Sequence, residues 1–194
     1  MKKFCLAISI SLLSLLNSFP QAGKHFVSLS VGYGIPFENS IYTDNEDPDI
    51  DIWMDPGTNI PIALIYEYGL SDLLKAGAKI EYEKVNFDSY YTGESYANRL
   101  AIGIHSLASY PRTMFHAEFG GYGNFGILNS DEFDSSVKGI EYGIMIGPAV
   151  RTGKINIALH FQPCYGYYFL SGSDQPEDAL VMYPRIAAKV SLEL

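Results

Sequence analysis

Large apolar residues recur at every second position in eight separate stretches of the chain. In Val27-Ser28-Leu29-Ser30-Val31-Gly32-Tyr33-Gly34-Ile35 the odd positions are large and apolar and the even ones are Ser or Gly. Between Ile60 and Tyr68, Ile62, Leu64, Tyr66 and Tyr68 share one face, and Ala63, Ile65 and Glu67 share the other. From Lys75 to Val85, Ala76, Ala78, Ile80 and Tyr82 oppose Gly77, Lys79, Glu81 and Glu83. Leu100, Ile102 and Ile104 oppose Arg99, Ala101, Gly103 and His105, and Phe115, Ala117, Phe119 and Phe125 oppose His116, Glu118, Gly120, Tyr122 and Asn124. Ile140, Tyr142, Ile144 and Ile146 oppose Glu141, Gly143 and Gly147. Ile155, Ile157, Leu159, Phe161 and Tyr165 oppose Asn156, Ala158, His160 and Gln162. The last stretch sets Ile186, Ala188, Val190, Leu192 and Leu194 against Arg185, Ala187, Lys189, Ser191 and Glu193. Side chains alternate faces along a strand, so each stretch predicts a β-strand with one apolar face.

The connections alternate in length. Short turns are predicted at Gly69-Leu70-Ser71-Asp72, Tyr110-Pro111-Arg112 and Arg151-Thr152-Gly153. Long ones run from Phe37 to Asn59, Asn86 to Ala97, Ile127 to Val137 and Phe169 to Leu180. Eight strands, short turns on one side and long loops on the other are the pattern of an up-and-down membrane barrel. The predicted fold is therefore all-β: an eight-stranded antiparallel transmembrane β-barrel over residues 23–194, with both ends of the barrel on the short-turn side.

Composition agrees with this reading. Of 194 residues, 18% are charged and 14% aromatic, with 15 Tyr and 18 Gly. No apolar run reaches the roughly 18 residues that a membrane helix needs. The net charge of −9 and the absence of a basic stripe argue against a nucleic-acid partner. Charge is also unevenly placed: the four long connections hold 15 of the 22 acidic residues and no basic one. Lys75, Arg112, Arg151 and Lys154 lie in or beside the short turns.

The first residues read as an export signal over 1–22. Lys2 and Lys3 precede a 13-residue apolar core, Phe4 to Leu16, which is too short to span a bilayer. Ser18, Ala22 and Gly23 suit cleavage near Ala22 or Gly23, which would remove Cys5 and leave Cys164 without an intramolecular disulfide partner.

Alternation alone leaves open whether the apolar face meets lipid or forms a core, as in a secreted lipocalin-like barrel. Two features favour lipid. The other face is rich in small residues (Ser28, Ser30, Gly32, Gly77, Gly103, Gly143, Ala158), which suit the narrow interior of eight strands. Aromatics also gather near strand ends, where an interfacial girdle sits: Tyr33, Tyr66, Tyr68, Tyr82, Tyr110, Phe115, Tyr165 and Tyr167. Under this reading Glu67, Lys79, Glu81, Arg99, Glu118, Glu141, Arg185 and Lys189 point inward. Buried charges must be paired and hydrogen-bonded, so an interior ion-pair network that plugs the lumen is expected.

By its signal, strand count, loop asymmetry and closing strand Arg185 to Leu194, the chain resembles the small eight-stranded outer-membrane barrel superfamily, the OmpA/OmpX-like group. The resemblance covers nearly all of residues 23–194. It implies a bacterial outer-membrane protein acting as an adhesin, a stability element or a narrow channel, with periplasmic termini. It also implies outer-membrane lipid and lipopolysaccharide as surroundings, and periplasmic chaperones and the barrel-assembly machinery as partners during biogenesis. One departure is Leu194, where such barrels commonly carry an aromatic residue. Lipid A deacylases can use eight strands with a His-x-Ser element, but His105 is followed directly by Ser106 and His160 by Phe161-Gln162. No Gly-x-Ser-x-Gly elbow is present either, so a non-enzymatic barrel is expected.

Three further groups carry candidate chemistry. Asp47, Asp49 and Asp51 alternate in the first long loop and could converge on a hard cation such as calcium. The EF-hand pattern fails there, because Ile52 stands at its Gly position, and a solvated acidic loop is the plainer reading. Ile52, Trp53 and Met54 are apolar residues within that loop and could anchor an unknown surface ligand, or pack against other loops. His105, His116 and His160 share the inward face, and a joint site would need them at one height. No cofactor is expected. The expected function is that of a surface structural or adhesion protein; the alternatives are a narrow small-solute channel and a secreted lipocalin-like carrier.

Overall fold

The computed structural model describes residues 21–35, 39–41, 52–54, 59–89, 93–111, 113–129, 137–170 and 177–194. Ten strands occur among them: β1 (His25–Gly34), β2 (Asn39–Ile41), β3 (Ile52–Met54), β4 (Ile62–Gly69), β5 (Leu74–Ser89), β6 (Gly93–Tyr110), β7 (Phe115–Asn129), β8 (Val137–Thr152), β9 (Ile155–Leu170) and β10 (Glu177–Glu193). Eight of them close a cylinder. Each strand from β4 to β10 pairs antiparallel with the next, and β1 lies between β4 and β10. The closing register sets Val27 against Leu192 on one side and against Tyr66 on the other. Closure pairs the backbone of every barrel strand on both sides and leaves no sheet edge.

The alternation decides which way each side chain points. On β4 the burial pattern is a strict exchange of exposed and buried positions: Leu64 is 58% exposed while Glu67 is fully enclosed. On β6 the contrast is between Ile104, 72% exposed, and Ala101, fully buried. Leu, Ile, Val, Phe and Tyr thus cover the outside, and the inside holds mostly small, polar and charged residues, with a few large ones such as Phe26, Leu107 and Tyr122. A lipocalin-like barrel has the opposite arrangement, with apolar residues within.

All four connections predicted as long loops are partly strand, three of them as extensions of the barrel strands. Facing chains continue to pair beyond the apolar belt: Phe87 with Ser95 and Ser89 with Gly93, Leu128 with Val137, and Asp178 with Phe169. The first long connection contains β2 and β3, which pair with each other, while Ile52 and Trp53 of β3 pair with Ser89 and Asp88 of β5. Sequence alternation reports burial of one face. Backbone pairing by itself leaves no such pattern, so alternation does not mark these extensions.

The turns at the other end are tight. At the β4–β5 turn the Ser71 hydroxyl accepts hydrogen bonds from the amides of Leu73 and Leu74 at 3.3 and 3.1 Å. The β8–β9 turn passes through Gly153 at φ 57°, a conformation that favours glycine. Both ends of the barrel chain lie here as well, where the amide of Leu194 donates to the carbonyl of His25 at 3.0 Å.

Candidate functional site: the charged lumen

An eight-stranded barrel has an interior only wide enough for side chains. In this one the side chains are ionic and arranged in layers along the axis. Among the described residues, the buried Asp, Glu, Lys and Arg side chains are six Glu and six Lys or Arg. They sort into three groups, each of which balances by itself.

The group nearest the long hairpins is built on Arg99 of β6 and Arg185 of β10. Arg185 reaches Glu81 and Glu83 of β5, at 2.7 Å each. Arg99 reaches the same two carboxylates at 2.8 and 2.9 Å and also binds Glu141 of β8 through two guanidinium nitrogens. Lys79 joins Glu81 at 2.9 Å, and the Asn124 amide donates to Glu141 at 3.1 Å. Three carboxylates thus face three cations. The planar guanidinium lets Arg99 bridge β5 and β8 at once and lets Arg185 take both carboxylates of β5.

The middle group is built on Glu67 of β4 and Glu118 of β7. Lys189 lies 3.2 Å from Glu67 and 3.4 Å from Glu118. Lys75 lies 3.3 Å from Glu118 and 3.9 Å from Glu67. The two lysines and two carboxylates therefore form a closed square. Around it stand His105, 3.1 Å from Glu67, and His160 and His116, 3.0 and 3.7 Å from Glu118. The Asn156 amide donates to Glu118 at 3.0 Å, and the Ser28 hydroxyl donates to Glu67 at 3.2 Å and lies 2.7 Å from Ser191. Three of the chain's four histidines thus share one level. The third group, at the short-turn end, joins Arg151 to Glu193, which Lys24 also contacts from the rim.

All eight side chains read from the sequence as inward are buried: Glu67, Lys79, Glu81, Arg99, Glu118, Glu141, Arg185 and Lys189. Four more complete the network. Glu83 and Glu193 were on the inward faces in the sequence, so the signal for them was present. Lys75 and Arg151 had been assigned to the short turns. Both stand one step inside them, where Lys75 pairs with Leu107 of β6 and Arg151 with Asn156 of β9. Both cations also lie over the ring of Phe26, at 5.1 and 5.6 Å from its centre.

The other candidates fare differently. Asp47, Asp49 and Asp51 lie outside the described residues, and so does the 1–20 segment that holds most of the predicted signal. Ile52, Trp53 and Met54 form β3, a backbone strand at the long-hairpin end. Among the described residues no group of His, Cys, Asp or Glu is placed to hold a metal ion. The histidine level explains why: Lys75 and Lys189 already occupy the cation positions between Glu67 and Glu118.

Between the middle group and the Arg99–Arg185 group lies a cavity of about 20 Å³, walled by Lys79, Glu81, His105, His160, Gln162 and Lys189 among others. Lys79 stands over the ring of Tyr122 at 4.3 Å. Room for about one water-sized species is all that such a volume offers.

No protein-family model and no curated protein matches the sequence. Solved structures do. The outer membrane protein OprG from Pseudomonas aeruginosa superposes with a TM-score of 0.60 at 12% identity, over 90% of this chain and 97% of that one. The outer membrane protein AlkL, solved in lipid bilayers, gives 0.51 at 12% identity, over 92% and 93%. The fold is that of the small outer-membrane barrels. Identity this low carries the architecture and not the role.

Proposed function

We propose that this chain is a non-enzymatic bacterial outer-membrane barrel with a sealed lumen, which acts at the cell surface through the hairpins of its long-connection end. The filling of the lumen by paired charges is the observation that carries the reading. Three charge-balanced groups of side chains fill the axis, and the cavity between the middle group and the Arg99–Arg185 group admits about one water. Conduction of solutes would require several buried ion pairs to part together.

The outward face supports residence in a membrane. On β6 the apolar positions run from Leu100 to Ala108, with Tyr96 and Tyr110 beyond them. At about 3.3 Å per residue and a tilt near 40°, that stretch spans roughly 20 Å, close to the apolar band of outer-membrane barrels. Tyr33, Tyr82, Tyr142 and Tyr165 ring the long-hairpin end, and Tyr66, Tyr68, Tyr110 and Phe115 the short-turn end. So large an exposed apolar surface has no place in water. Lipid and lipopolysaccharide would then surround the barrel, after delivery by periplasmic chaperones and the assembly machinery. The short-turn end, with both termini of the barrel, would face the periplasm. The strongly acidic long connections would face outward and present an adhesive or protective surface.

Planar-bilayer recording tests the sealed lumen. The refolded chain is expected to insert without unitary conductance steps at neutral pH; regular steps would favour the narrow-channel reading and overturn this one. Cell adhesion tests the surface role. Deleting Ile50 to Asp55 is expected to reduce binding while leaving the heat-dependent mobility of the barrel unchanged.

A further inference from the structure

The histidine level and the cavity beside it have a consequence beyond sealing. Both Glu67 and Glu118 are satisfied by Lys75 and Lys189, so the middle group balances only while its histidines are neutral. The titratable and charged groups facing His105 and His160 are Glu67 on β4, Lys75, Lys79 and Glu81 on β5, Tyr122 and Glu118 on β7 and Lys189 on β10; His116 faces Glu118 on its own strand. β1 adds Ser28 and Ser30, without charge, and Arg151 of β8 is held by Glu193 at the short-turn end. Among the described residues, every carboxylate at this level is already paired with a cation, so none is left to balance an added proton. Histidine is the side chain whose charge changes between about pH 5 and 8. Each proton taken up here adds an excess positive charge to a closed, poorly solvated space.

The cavity lies where that excess would be balanced. Lys79, Lys189, His105 and His160 all line it, and its one carboxylate, Glu81, is already bound by Lys79, Arg99 and Arg185. His105 is 6% exposed, and its Nδ1 has no hydrogen-bond partner within the protein. That ring therefore has an unused donor position once protonated. We propose that the cavity takes up one small monovalent anion, such as a halide, when His105 and His160 are protonated. The lumen would then bind proton and anion together, a linkage independent of any conductance. Linkage also sets the sign: anion binding raises stability only where the histidines are charged, at low pH, and fades as pH rises.

The test uses the full chain refolded in detergent, with thermal unfolding followed by unboiled mobility. Midpoints are compared in sodium chloride and in sodium gluconate at equal ionic strength, at pH 7.5 and 5.5. Chloride is expected to raise the midpoint by about 3 °C or more at pH 5.5, and to have no effect at pH 7.5. His105→Gln and His160→Gln, which keep a hydrogen-bonding side chain, are each expected to weaken the chloride effect. Crystals grown with bromide at pH 5.5 give a second readout that needs no variant: anomalous density between His105 and Lys79. An equal chloride effect at both pH values, no effect at either, or a cavity without bromide would overturn the proposal.

Discussion

Glu118 is engaged by five side chains in the interior of the barrel. Lys75, Lys189, His160, His116 and Asn156 all address its two oxygens. Glu118→Gln keeps the shape and removes the charge, so two lysines are left facing Glu67 alone. Loss of one partner of a buried ion pair costs about 3–5 kcal/mol. The variant is expected to unfold at clearly lower denaturant concentration in detergent; a midpoint unchanged from the parent chain would mean that the square of charges contributes little. Two glycines give a contrast of a different kind. A Cβ at Gly147 would overlap the carbonyl of Leu159 on β9, whereas one at Gly153 would meet nothing but must accept a positive φ. Gly153→Ala is therefore expected to cost about 1 kcal/mol, and Gly147→Ala distinctly more, because the backbones of β8 and β9 must move apart. Equilibrium unfolding of the two variants checks that order. The inward placement of Glu67 or Arg185 follows from counting positions along a strand. Which carboxylate meets which cation does not, because the pairing depends on shear between strands. The common level of His105, His116 and His160 arises in the same way, from three strands whose relative heights no local pattern records.

At the scale of strands, prolines mark one seam. β8 and β9 pair continuously from Lys138 to Gly143, after which the pairing is interrupted around Pro148 and Pro163. β6 and β7 pair without a gap from Asn98 to Tyr110. A proline has no amide to give to the ladder. Amides between Ile144 and Gly147, and between Leu159 and Gln162, are expected to exchange with deuterium faster than those of the β6–β7 ladder. Uniform protection around the barrel would contradict this. The sequence shows these prolines plainly, and the eight barrel strands were legible from alternation alone. The outer halves of the hairpins were not. Asn86 to Ser89 and Gly93 to Ala97 pair in register through the backbone, which by itself leaves no alternating pattern in the sequence. β2 and β3 escape the pattern because their three residues each are too few to establish a period.

For the whole molecule, the two faces have opposite requirements. The lumen tolerates charge only in balanced sets, while the outward belt tolerates none. Ile104, at the middle of the belt and 72% exposed, is the sharpest place to probe this. Ile104→Arg is expected to cost about 2–4 kcal/mol in lipid vesicles, as for cations on the lipid face near the midplane. In a protein whose outer face met water the same change would be nearly silent. The most direct test places a reporter on each face. With Trp53 replaced by Phe, a single tryptophan is introduced as Ile104→Trp or as Tyr122→Trp, and the chain is refolded into vesicles of brominated lipid. Bromine is expected to quench strongly the fluorescence from position 104 and to leave position 122, inside the barrel, largely unaffected. Quenching at 122 but not at 104, or at neither, would contradict the outward apolar face and the membrane barrel with it.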